Sequence, residues 1–353
     1  MDLDLLQRTL DAEGQPGFRA RQVWRWAAQG APGYEAMTDL PAGLRQDLAE
    51  RVPFSALSVD AEAQSRDGTV KTLFRTADGR PVEAVLMRYR DRRNSLCLSS
   101  QSGCPLTCTF CATGQMRFGR NLSAWEIVDQ ALHFRRLAAE AGEGGPDHAV
   151  FMGMGEPMMN LDAVLGACSR LPEVGITARR TAISTVGWIP GIERLSADPR
   201  PIRLALSLHA ADPALRSQLM PVNDRYPLDQ VLAACQAYHQ RKRRQVFIEY
   251  VMLAGVNDTV SQAIELGEML DPRVYKVNLI PYNPTGSAYA ASSRRAIAAF
   301  RDQLERHGVG VTVRLTRGQD IAAACGQLAA ATSAIGPEAR GPASQRLTPV
   351  PRR

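Results

Sequence analysis

The sequence predicts an α/β protein: a partial (β/α)6 barrel behind a small N-terminal helical domain. Three observations predict it. From about residue 94 to 335, short apolar, β-branched runs alternate strictly with helical stretches, as parallel strands covered on both faces require. Polar and reactive side chains recur just after those runs, at the end where parallel barrels gather their chemistry. Residues 1–55 read as small helices, divided by turns at Ala31-Pro32-Gly33-Tyr34 and Leu40-Pro41-Ala42-Gly43. Six repeated right-handed crossovers curl a sheet, which favours an open barrel over a flat doubly wound one.

The N-terminal segment is densest at Phe18-Arg19-Ala20-Arg21-Gln22-Val23-Trp24-Arg25-Trp26. Its arginines offer phosphate partners; a solvated helical bundle explains the same residues as well. Residues 56–93 form a strand-rich linker region, with strands expected at 69–75 and 82–87. The linker Arg88-Tyr89-Arg90-Asp91-Arg92-Arg93-Asn94 puts four arginines in six residues, either a solvated turn or an RNA contact. The barrel strands are expected at 95–100, 148–153, 180–186, 202–209, 246–253 and 275–282, and a last strand at 309–316 leads into a turn and a helix carrying Cys325. Ser123-Ala124-Trp125-Glu126 is a capping box, with Leu122 and Ile127 as hydrophobic staple, so a helix starts there and runs to about residue 141.

Composition bounds the rest. At 45% hydrophobic and 22% charged, the 353 residues have ordinary globular usage. No apolar run approaches the roughly 18 residues of a membrane span, and Met1-Asp2-Leu3-Asp4 carries acid where a signal peptide carries base. The expectation is a cytoplasmic monomer with no membrane partner. Seven cysteines, an odd number, fit a reducing compartment better than a disulfide framework. The net charge is +6, but residues 336–353 hold four arginines against Glu338, so the bulk charge says little of the folded part. That tail reads as disordered.

Chemistry concentrates after the first barrel strand, in Gly103-Cys104-Pro105-Leu106-Thr107-Cys108-Thr109-Phe110-Cys111. Structural zinc wants four ligands in paired halves, and no second pair exists. A four-iron cluster held by Cys104, Cys108 and Cys111 instead leaves one iron open to a small molecule. Gly153-Met154-Gly155-Glu156-Pro157 follows the second strand, where glycines permit close approach and Glu156 can accept from an ammonium group. Ser184, Ser207, His209 and Asn283 close later strands, with short side chains that suit a ribose or carboxylate, or simply caps and turns. Cys325 is read either as a thiol aimed at this rim or as a buried small residue; Cys168 and Cys235 read as core.

The C-x3-C-x2-C spacing with Phe110 before the third cysteine resembles the radical S-adenosylmethionine (SAM) enzymes. Over residues 15–330 the resemblance sharpens to the RNA adenine methyltransferases of the RlmN and Cfr type. It is carried by Leu96-Cys97-Leu98-Ser99-Ser100-Gln101, the cysteine loop, Ala112-Thr113-Gly114, Arg120-Asn121-Leu122, residues 153–160, Leu206-Ser207-Leu208-His209-Ala210, Asn278-Leu279-Ile280-Pro281-Tyr282-Asn283-Pro284 and Ala324-Cys325-Gly326-Gln327-Leu328. Ser102, often apolar in the family, is the one small departure.

The resemblance implies a radical SAM barrel, a [4Fe-4S] cluster on Cys104, Cys108 and Cys111, and two SAM molecules per turnover. SAM contacts carry over to Phe110, Gly155, Glu156, Ser184, Ser207, Leu208, His209 and Asn283. Adenine carbons 2 and 8 are not nucleophilic, so a radical route is required. In the family's chemistry Cys325 takes a methyl group from one SAM, and a 5'-deoxyadenosyl radical from the second abstracts a hydrogen from it. The methylene radical adds to adenine, and Cys97, with Glu83 as proton acceptor, resolves the covalent adduct as a disulfide. The implied partners are large-subunit ribosomal RNA, transfer RNA, an electron donor and a disulfide reductant, and residues 1–55 are implied to bind RNA. Carbon 2 methylation is expected as the commoner activity. The rivals are carbon 8 methylation, another radical SAM enzyme without need of Cys97 and Cys325, and a non-enzymatic zinc RNA-binding protein.

Overall fold

The computed structural model describes residues 1–329; the expected tail at 336–353 lies outside them. Three helices, α1 (Leu3–Ala12), α2 (Phe18–Gln29) and α3 (Ala42–Arg51), come first. Strands β1 (Leu57–Gln64), β2 (Val70–Thr76), β3 (Pro81–Arg88) and β4 (Asn94–Cys97) follow, each antiparallel to the one before. A two-stranded ribbon, β5 (Gln101–Ser102) with β6 (Arg120–Asn121), spans the cysteine loop. The chain then alternates: α4 (Ala124–Glu140), β7 (His148–Phe151), α5 (Leu161–Val174), β8 (Thr181–Thr185), α6 (Ile189–Ala197), β9 (Arg203–Ser207), α7 (Pro213–Leu219), α8 (Leu228–Lys242), β10 (Val246–Met252), α9 (Val260–Met269), β11 (Tyr275–Pro281), α10 (Arg294–Arg306) and β12 (Gly310–Val313).

Ten strands make one sheet in the order β1-β2-β3-β4-β7-β8-β9-β10-β11-β12. From β4 onward every pairing is parallel. The two ends of the order, β1 and β12, do not pair with each other, so the barrel is open, as the crossover argument requires. β12, within the last strand expected at 309–316, pairs parallel with β11 and makes a seventh parallel strand beyond the six βα units. Residues 56–93 are strands of the same sheet rather than a connection, and β1, absent from the sequence reading, is exposed along most of its length, so no alternation marks it.

Helix α4 starts on the expected box: Glu126 N–H donates to Ser123 Oγ at 3.2 Å and Ser123 N–H to Glu126 Oε2 at 2.8 Å. The expected helix around Cys325 does not form. Residues Gln319–Ile321 make a single 3-10 turn, because Gly318, Ala322 and Gly326 all take positive φ (62°, 50° and 84°), which a right-handed helix cannot contain.

The N-terminal helices share the main core, which runs continuously from Met1 to Val309. Trp24 is buried in it and donates to Glu173, and Trp26 donates to Asp39 Oδ1 at 2.6 Å. Trp24 therefore fastens α2 to α5, while Trp26 stays half-buried at the surface.

Candidate active site at the carboxyl ends of the parallel strands

The strands deliver their polar ends to one cavity. Phe110, Cys111, Gly155, Glu156, Ser184, Ser207, His209 and Cys325 all line it, together with Glu249 and Arg314. A second cavity is lined by Tyr89, Cys97, Asn283, Arg314, Leu315, Arg317 and again Cys325. Cys325 thus stands between the two.

Each residue is held by its own local contacts. Gly155 has φ +96°, and a Cβ there would lie 2.5 Å from the Gln101 side chain, so only glycine fits beside the amide whose Oε1 accepts from Glu156 N–H at 2.8 Å. The Glu156 carboxylate is buried and accepts from Met158 and Val186 N–H, both at 3.0 Å. Ser184 and Ser207 hydroxyls face each other at 3.4 Å across β8 and β9. His209 takes a left-handed φ of 61°; its Nδ1 accepts from Val251 N–H at 3.0 Å, and its ring packs edge-on to Phe110 at 4.7 Å. Burial, then the nearby Arg216 cation, pushes this imidazole down to about 3, so it is neutral at physiological pH. Leu208 lies in the main core and lines neither cavity.

The cysteine loop is tied to the Cys325 segment. Ala112 N–H donates to Gly326 O at 2.8 Å, Thr113 Oγ1 to Leu328 O at 2.6 Å, and Asn283 Nδ2 to Cys325 O at 3.3 Å. Burial raises the Cys104 thiol to about 12 and raises those of Cys108 and Cys111; neighbouring negative charge adds to this, from Glu156 and Cys111 at Cys104, from Cys111, Cys104 and Glu156 at Cys108, and from Cys325 at Cys111. Among the described residues no group of three His, Cys, Asp or Glu side chains could hold one metal ion. A cluster asks something different, one thiolate on each of three irons. Two observations fit a polar guest here, one that brings negative charge near Arg216 and hydrogen-bond donors near Asn283 and Glu249. Arg216 is wholly buried beside Cys108 and, among the described residues, has no carboxylate partner; it donates to Leu208 O, Val186 O and Asn223 Oδ1 at 3.2, 2.7 and 2.6 Å. Asn283 Oδ1 and Glu249 Oε2 are buried with no hydrogen-bond donor.

The match to known proteins decides the family. Residues 98–266 match the family model of the radical SAM superfamily. A probable dual-specificity RNA methyltransferase RlmN of Frankia alni is 48% identical over 90% of this chain and 79% of its own length. The dual-specificity RNA methyltransferase RlmN of an Anaeromyxobacter species is 43% identical over 99% and 94%. The chain belongs to the RlmN family. A crystal structure of a radical SAM methyltransferase from Sphaerobacter thermophilus superimposes with a TM-score of 0.88 at 45% identity, covering 94% of this chain and 98% of that one. Membership of this radical SAM family implies a [4Fe-4S] cluster and SAM as cofactors.

Within this RlmN-family site, Cys97 and Cys325 line the same cavity. Burial first, then the Cys325 charge, pushes the Cys97 thiol up to about 12. Arg314 donates to Cys325 Sγ at 3.6 Å and sits 3.6 Å from Glu249 Oε2. Glu83 lines neither cavity; its carboxylate meets Lys71 Nζ at 3.0 Å and accepts from Ala329 N–H at 2.9 Å. Arg216, Glu249 and Arg314 were not singled out from the sequence. Only Glu249 left a signal there, a charge inside the apolar run Val246-Phe247-Ile248-Glu249-Tyr250-Val251-Met252.

The buried carboxyl gives a pH test. Burial pushes Glu156 up to about 7 from an ordinary 4.5, despite its two N–H donors. A folded carboxyl raised in this way holds its proton where the unfolded chain has lost it. Relative to Glu156→Gln, the cluster-free protein is therefore expected to lose about 3 kcal/mol of stability as pH rises from about 4.5 through about 7, and no more above. Neutral His209, held down to about 3, adds a slope of opposite sign that both proteins share and that cancels in the difference; a difference in urea midpoints that stays constant across the window would assign the titration elsewhere.

Proposed function

We propose that this protein methylates carbon 2 of an adenosine in the peptidyl-transferase region of large-subunit ribosomal RNA, and an adenosine beside the anticodon of some transfer RNAs. The observation that carries the reading is the position of Cys325, on the wall shared by the cavity of Phe110, Cys111 and Glu156 and the cavity of Cys97. Another kind of radical SAM enzyme would have no use for a second cysteine pair facing its cluster loop. The names of the RlmN relatives favour carbon 2 over carbon 8.

In this reading Cys104, Cys108 and Cys111 hold the cluster, and Gly155, Glu156, Ser184, Ser207, His209 and Asn283, with the main chain of Leu208, hold SAM beside Phe110. When bound, the cluster and SAM supply one-electron activation of an otherwise inert C–H bond. Cys325 carries the methyl group as a thioether, so one SAM is consumed in loading it and a second in activating it. Arg314 fixes Sγ of Cys325 at 3.6 Å and places a cation where the thiolate develops before methylation. Neutral His209 packs on Phe110 and keeps that wall dry. Once the adduct has lost the ring proton and its unpaired electron, which would return to the cluster, Cys97 attacks the Cys325 sulfur; the S–S bond forms as the S–C bond breaks, Glu83 takes the thiol proton, and the departing carbon keeps the bond pair and picks up a proton to become the methyl group. An electron donor and a disulfide reductant complete the cycle.

The test is the product. Ribosomal RNA and transfer RNA from a methylation-deficient host, incubated with the reconstituted enzyme, SAM and reductant, should yield 2-methyladenosine after digestion. 8-Methyladenosine would establish the carbon 8 activity instead, and SAM cleavage without a methylated nucleoside would end the methyltransferase reading.

A further inference from the structure

The cavity of Cys97 and Cys325 is flanked by two segments far apart in sequence. One is the turn between β3 and β4, Tyr89 to Arg93; the other follows β12, Arg314 to Arg317. They meet on one aromatic ring. The guanidinium carbons of Arg93 and Arg317 lie 4.2 and 4.6 Å from the Tyr89 ring centroid. Two like charges gathered on one ring repel, and their nearest carboxylates, Asp91 and Asp67, stand 3.9 Å from each. Arg90 and Arg92 on the same turn are exposed and make no ion pair among the described residues. Such an excess of positive charge is a footprint for a polyanion.

A second observation separates this patch from an ordinary solvated turn. Leu315, on the opposite lip, is 79% exposed, the most exposed large apolar side chain among the described residues. It stands next to Arg314, whose guanidinium touches Cys325 Sγ. An adenine that reacts at Cys325 must leave its stack, and an apolar side chain at the mouth is placed to cover the face that extrusion exposes.

We propose that Arg93 and Arg317, stacked on Tyr89, together with Arg90 and Arg92 of the same turn, bind the phosphates flanking the target adenine, and that Leu315 contacts the neighbouring base. This surface rests on the RNA-substrate reading above and assigns the landing site to the cavity mouth.

The probe is an RNA stem-loop with one unpaired adenine, titrated by fluorescence anisotropy over a series of salt concentrations against the full-length, cluster-reconstituted enzyme. The variant R90Q/R92Q/R93Q is expected to bind roughly 10- to 100-fold more weakly near 0.1 M salt, and its log–log salt slope should be shallower by about 2, as loss of three single-strand phosphate contacts predicts. Leu315→Ala should weaken binding about fivefold with the slope unchanged. Methylation of Cys325 by SAM in the absence of RNA should be unaffected in every variant, which shows that fold and cluster are intact. Equal affinity and slope in the triple variant would overturn the surface while leaving the RNA reading standing. Failure of the unsubstituted, Cys325-methylated enzyme to bind the stem-loop would overturn both.

Discussion

Cys325→Ala is expected to lose RNA methylation entirely, to below the background of a no-enzyme control, while still cleaving SAM when reduced. Covalent catalysis predicts this severity, because no neighbour can take over as carrier. Cys97 lies behind the same wall with its thiol pushed up to about 12, and Cys108, Cys111 and Cys104 face the opposite cavity or its loop. The substitution is mild structurally: the Cys325 side chain is exposed, and its carbonyl, which accepts from Asn283 Nδ2 at 3.3 Å, is retained. Mass spectrometry of the unsubstituted enzyme after incubation with SAM should show a Cys325 peptide heavier by one methyl group, absent in the variant. An unmodified Cys325 together with active SAM cleavage would sink the carrier role, whatever the RNA assay gave.

The alternation of strands and helices was legible because parallel strands buried on both faces are apolar along their length, as in β8 and β10. The cysteine loop was legible because its three cysteines fall within eight consecutive residues. Arg216 was not: in Pro213-Ala214-Leu215-Arg216-Ser217-Gln218-Leu219 it reads as a solvated helix position, and only the fold turns it inward onto three carbonyls. Arg314 was hidden for a related reason, since it gains meaning only when the end of β12 meets Cys325 across the open side of the barrel. Trp24 was equally hidden: set among arginines in sequence, its indole N–H finds Glu173 on α5 and its large ring is buried in the shared core. Around Cys325 the alanines suggested a helix, and three residues at positive φ prevented it; two of the three are glycines, which was the available warning.

Cys97→Ala is expected to stop the enzyme after one turnover, with RNA covalently attached through Cys325 and visible as a denaturation-resistant conjugate on a gel. The unsubstituted enzyme should show little of it. The geometry also says what limits Cys97. Its thiol is raised to about 12 chiefly by burial, a cause that persists once Cys325 is alkylated and uncharged. At pH 7 a free thiol of that strength is ionised in about one molecule in 10⁵, so resolution needs a group that takes the proton as sulfur attacks. In the proposed mechanism that group is Glu83, which lies two residues along β3 from Val85, the partner of Cys97, on the same face of the sheet, and is held by Lys71 Nζ at 3.0 Å. Glu83→Gln should therefore load the methyl group on Cys325 normally, accumulate the conjugate, and release it faster as pH rises, by about tenfold per unit while the thiol remains mostly protonated. The sign follows from the raised thiol, whose reactive form grows with pH up to about 12. Conjugate that decays at one rate from pH 7 to 10 in Glu83→Gln, or that never forms in Cys97→Ala, would remove these two residues from the resolving step and leave the carrier role of Cys325 to stand by itself.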